Sequence, residues 1–114
     1  MKWLMSIAVG IAFSASAAMA HSTKEKTIPA NTATVQAVDV IEVHFDGPMR
    51  ITAFMVMGPD GEVAVTRQTG LDPVKVFAAT PTADLPVGAY AVEWRGLAED
   101  GHPMQGTFGF NVVK

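Results

Sequence analysis

The chain has 114 residues, with eight Lys and Arg against eleven Asp and Glu, three His and no Cys. The lack of cysteine excludes disulfides, thiolate metal sites and thiol catalysis. An acidic balance with no basic run argues against nucleic acid as a partner.

Lys2 is followed by a mostly apolar run over residues 3–13. Ser14 and Ser16 break this run before it reaches the about 20 apolar residues that a membrane-spanning helix needs. Ala18-Met19-Ala20 then supplies the small-x-small pattern that signal peptidase reads. These features predict a cleaved secretory signal over residues 1–20 and a mature domain over residues 21–114 that begins with His21. Removal of the leader takes Lys2 with it and leaves seven basic residues against eleven acidic ones, a formal charge of −4. The 94 residues that remain (114 less 20) suffice for one small domain. No later apolar run is long enough to span a membrane, so a soluble mature protein is expected.

Polar residues 21–27 read as an arm or edge strand, and Pro29-Ala30-Asn31 marks a turn. From Val40 the period is two. Ile41, Val43 and Phe45 point one way, and Val40, Glu42 and His44 the other. A second strand is expected over residues 51–57. Gly58-Pro59-Asp60-Gly61 then turns tightly into residues 63–66 as a hairpin. Further strands are expected over residues 74–78, 88–97 and 107–113. Tyr90, Val92 and Trp94 share one face, and Phe108, Phe110 and Val112 point inward. Val63, Val65, Val74, Val76 and Phe77 complete the candidate core. Short strands separated by Gly and Pro, with no long amphipathic helix, predict an all-β antiparallel sandwich or barrel. In "LPVGAY", Leu85, Gly88 and Tyr90 have the spacing of a tyrosine corner, whose phenol caps an upstream backbone group. An ordinary buried tyrosine is the alternative.

The segment "AEDGHPMQG", residues 98–106, lies between the last two predicted strands. Asp100 and His102 flank Gly101, a pattern that taken alone also fits a polar hairpin loop. His21 changes its weight. An N-terminal histidine offers an α-amine and Nδ1 in one chelate ring, His102 offers a third nitrogen, and Asp100 an oxygen. Three nitrogens and a carboxylate suit tetragonal Cu(II). Zinc accepts similar donors but prefers a tetrahedron, while calcium and magnesium want oxygen cages. The amine, with a reference pKa of about 7.7–8.0, must lose its proton to bind, so uptake is expected to depend on pH. His44 reads as a partly exposed or hydrogen-bonded strand histidine rather than a ligand. Thioethers select Cu(I), and Met49, Met55, Met57 and Met104 survive in the mature chain. Met55 and Met57 share one strand face, and a core role is the preferred reading for them. There is no G-x-S-x-G elbow, phosphate loop or G-x-G-x-x-G, and the adjacent Glu99 and Asp100 make a poor acid–base pair. No enzyme is expected.

The N-terminal His21, "TIPANTATV", "IEVHFDGPM" and "LPVGAYAVEWRGLAEDGHPMQGTFGFNV", in that order, resemble the CopC family of bacterial periplasmic copper-binding proteins over nearly all of the mature chain. The resemblance implies a small Greek-key barrel or sandwich, immunoglobulin-like and cupredoxin-like in outline. It implies a Cu(II) site at His21, Asp100 and His102, and a periplasmic carrier or buffer in copper homeostasis and resistance. It also implies a monomer that works beside an inner-membrane partner of the CopD type. Gly47 stands where some relatives carry an acidic residue near the metal, so no fourth side chain is carried over. The hairpin "MVMGPDGEV" is short where some relatives carry a methionine-rich insert, and no cuprous site is carried over. Two other readings use the same residues differently: a copper-dependent oxidase built on the same histidine brace, and an immunoglobulin-like adhesion module that binds no metal.

Overall fold

The computed structural model describes residues 25–114, so the predicted leader and His21 lie outside the described residues. Eight strands follow one another: β1 (Lys26–Ile28), β2 (Ala33–Val35), β3 (Ile41–Gly58), β4 (Gly61–Val63), β5 (Val65–Arg67), β6 (Val74–Pro81), β7 (Gly88–Ala98) and β8 (Pro103–Val112). Among the described residues there is no helix.

The strands form one sheet in the order β2-β8-β7-β3-β6-β5, with β1 and β4 also paired to β3. The all-β expectation holds, but the sheet is mixed, because β2 runs parallel to β8. β3 is the spine. Its first half pairs with β1 and β6, and its second half pairs with β7 and β4. Aromatic contacts show how far the sheet curls. Phe45 in the first half meets the Trp94 ring edge-on at 5.0 Å, and Phe54 in the second half lies 4.8 Å from Phe77 of β6. The two halves of one strand therefore line a common core, and the sheet is a half-barrel.

Period-two alternation fixes which side chains reach that core. Ile41, Val43 and Phe45 are buried as expected, as are Phe77, Val92, Trp94, Phe108, Phe110 and Val112. Val76 is 41% exposed, correcting its place among the core candidates. It adjoins Phe77 on the same strand, so the two must face opposite sides. Val63, Val65 and Val74 are only partly buried and pack at the core margin. Met55 and Met57 are 44% and 42% exposed, against the core role preferred for them. The cause is a register shift between Ile51 and Ala53 where β3 faces β7. One extra residue there reverses the alternation. Met49 and Ile51 point inward before it, Val56 points inward after it, and Met55 and Met57 turn to the outer face.

Pro59 and Asp60 form the two-residue turn of the predicted hairpin, with Gly58 paired to Gly61. The Tyr90 hydroxyl donates to the Pro86 carbonyl at 2.5 Å, as a tyrosine corner requires. Gly106 is needed for a different reason. A Cβ placed there would lie 2.6 Å from Trp94 Nε1 and 2.7 Å from Cε2. Gly106→Ala is therefore expected to cost about 1–3 kcal/mol by overpacking. A lowered urea midpoint with an unchanged slope would show it. An unchanged midpoint would mean that the Trp94 ring shifts without cost.

Candidate metal centre

Residues 99–102 join β7 to β8, closing the antiparallel pair Leu97–Pro103. The Gly101 N–H donates to the Ala98 carbonyl at 2.8 Å, and the Ala98 N–H donates to the His102 carbonyl at 2.9 Å. Gly101 has φ +87°, in the left-handed region that closes a turn of this kind. A side chain at that position costs about 1–2 kcal/mol. The tight reversal holds Asp100 and His102 side by side on the surface.

The two residues the sequence singled out here are bonded to each other. Asp100 Oδ1 accepts the His102 backbone N–H at 3.1 Å, and Oδ2 accepts the ring Nδ1–H at 2.6 Å. An ionised carboxylate can only accept, so a proton sits on Nδ1, and in the neutral ring Nε2 is the nitrogen with a free lone pair. The side chains are 75% and 64% exposed for His102 and Asp100, so Nε2 belongs to an accessible ring. A carboxylate on one imidazole nitrogen is how proteins fix the ring's tautomer and orientation for a metal on the other. In this arrangement Asp100 orients the imidazole.

The same bonds act on Asp100. The His102 backbone N–H first, then its ring N–H, hold the Asp100 carboxyl below the usual aspartate range. The sign is that of a depressed acid: the contact is complete above the ordinary aspartate range and is lost as pH falls through the lowered value. A carbon-detected NMR titration is expected to place the Asp100 midpoint below that of an unpaired aspartate, and to raise it in His102→Ala. A midpoint at the ordinary value in both proteins would contradict the contact.

Ala98, Asp100, His102, Pro103 and Met104 line a surface depression of about 520 Å³. A second, of about 310 Å³, lies between residues 47–49 of β3 and residues 98–100. Ala98 and Asp100 line both. β1 runs antiparallel to β3, with Lys26 opposite His44, so its N-terminal end faces the part of β3 that leads to Met49. Met49 is itself opposite Ala98. Glu25 lines a groove of about 380 Å³ together with Thr107 and Phe108 of β8.

Among the described residues no group of three or more His, Asp or Glu converges as a metal cage. The structure thus brings together Asp100 and His102, and the third predicted ligand, His21, lies outside the described residues. His44 is elsewhere, on the outer face of β3, where its Nε2–H donates to Glu42 Oε1 at 2.8 Å, matching the hydrogen-bonded reading. Met49 is buried in the core. The sequence reading left Met104 unplaced. Its position two residues beyond His102 was the available signal.

A CopC domain model matches residues 24–113. This chain belongs to the CopC family. Copper resistance protein C of Escherichia coli is 29% identical over 117 residues, spanning 93% of this CopC chain and 90% of that protein. Copper resistance protein C of Pseudomonas syringae pv. tomato is 33% identical over 106 residues, spanning 83% of this chain and 82% of its own. Among solved structures, PcoC, a copper resistance protein from Escherichia coli, is similar at TM-score 0.65 and 27% identity, covering 81% of this chain and 99% of that one. CopC from Methylosinus trichosporium OB3b shares the fold at TM-score 0.65 and 23% identity, covering 76% and 88%. The curled all-β sheet described above is thus a CopC-family fold.

Proposed function

We propose that this chain is a periplasmic Cu(II) carrier or buffer in copper resistance and carries out no catalysis. Residues 1–20 act as a cleaved leader, and His21 becomes the N-terminus. Copper is its cargo, held by the α-amine and Nδ1 of His21 and by His102, with Asp100 supplying an oxygen or orienting the His102 ring. A monomeric state and an inner-membrane partner of the CopD type belong to the same reading.

The observation that carries it is the 2.6 Å Asp100–His102 contact, which leaves the second nitrogen of an exposed imidazole for a metal. The polarity of β1 supports it, since the described chain begins beside β8 and is aimed toward the end of the sheet where Asp100 and His102 sit. The relatives' name, copper resistance protein C, fits the same metal.

Purified residues 21–114 are expected to take up one Cu(II) with a tetragonal, nitrogen-rich EPR signal. Mass spectrometry of exported protein should give His21 as its first residue. A mature start elsewhere, or no retained Cu(II), would remove this reading.

A further inference from the structure

We infer that Met104 supplies a thioether to copper at the Asp100–His102 turn when the metal arrives as Cu(I). The inference rests on the proposal that this turn binds copper. It concerns a ligand for a second oxidation state at the same place. No redox step is involved, because the ion is bound in the state in which it is delivered.

The four mature methionines are now distinguishable. Met49 is 2% exposed and closed into the core. Met55 and Met57 sit on the outer face of β3, paired across to Glu93 and Ala91 of β7, far along the strand from the Ala98 end. Only Met104 lines the depression that Asp100 and His102 also line. It is partly buried, packed against the core margin, and pairs with Gly96, which has no side chain to hold it in place. His102 and Met104 flank Pro103 at the start of β8, and both line this depression. The methionine side chain has three rotatable bonds and a polarizable sulfur, so it can reach a neighbouring ion without moving the strand.

The chemistry favours this pairing. Thioether and imidazole are donors that Cu(I) accepts, and its filled d shell imposes no tetragonal plane. A Cu(II) ion set by three nitrogens gains little from a soft sulfur. Met104 is therefore a specificity-determining ligand for the reduced ion and nearly indifferent to the oxidised one.

The test uses residues 21–114 and three variants: Met104→Leu, the double variant Met55→Leu/Met57→Leu, and His102→Ala. Leu keeps the volume at each methionine, so folding is preserved. Cu(I), supplied anaerobically as its acetonitrile complex, is competed against a chromophoric chelator, and Cu(II) is titrated separately. Met104→Leu is expected to weaken Cu(I) on the order of 10–100-fold, and to change Cu(II) less than about threefold. It should also remove a sulfur scatterer from the X-ray absorption spectrum of the Cu(I) form, and the double variant should match the wild type. Unchanged Cu(I) affinity in Met104→Leu, or a loss confined to the double variant, overturns the inference while Cu(II) binding stands. Cu(II) binding that survives in His102→Ala overturns the copper reading of the turn, and the Met104 role with it.

Discussion

His102→Ala is expected to weaken Cu(II) binding by more than about 100-fold, beyond the 10–100-fold typical for loss of an outer-shell partner. The substitution removes the exposed imidazole and leaves the Asp100 carboxylate with nothing to orient. His44→Ala is the matched control. That ring is already bonded to Glu42 on the outer face of β3, and its loss should leave Cu(II) affinity within about threefold. Both side chains are at least partly solvent-exposed, so neither truncation opens a cavity. Calorimetric or chelator-competition titrations of the two variants decide the matter. Greater damage from His44→Ala would place the metal on β3 rather than on the β7–β8 turn.

The second large effect concerns the amine. A protein that retains one methionine ahead of His21 keeps every side chain but moves the α-amine out of the chelate ring proposed for it with Nδ1. Its Cu(II) affinity is expected to fall by more than about 100-fold, and its EPR parameters should change because one nitrogen donor has been replaced. The pH dependence should change as well, since the proton lost from an amine on metal uptake is no longer released at that place. Equal affinity with and without the added residue would mean that His21 binds, if at all, through its ring alone.

Much of this was legible in the chain. Alternation at Ile41, Val43 and Phe45, and again at Tyr90, Val92 and Trp94, identified strands and their buried faces, because a half-buried strand must repeat every two residues. The Asp100-Gly101-His102 spacing identified the turn, since a left-handed glycine between two polar residues is a local event. Non-local events were harder to read. Residues 51–57 were expected as a second strand after the one from Val40, yet residues 41–58 form one strand with an irregular register between His44 and Met49. The extra residue near Thr52 moved Met55 and Met57 outward, and an alternation count cannot reveal it without the partner strand. The parallel pairing of β2 with β8 joins residues 33–35 to residues 110–112, a separation that no local pattern encodes. β8 begins at Pro103, not near Thr107, because its first residues are held by the Leu97 side of the turn rather than by their own propensity.

The shared spine has a consequence for how the molecule comes apart. β3 is hydrogen-bonded to β1, β4, β6 and β7, so no division of the sheet leaves two pieces with complete ladders. Hydrogen exchange in β6 and in β7 should therefore report the same opening event, with one free energy for both. A ligand held at the β7–β8 turn binds only the folded domain, so it would slow exchange at the opposite margin of the sheet as much as beside it wherever exchange requires the whole domain to open.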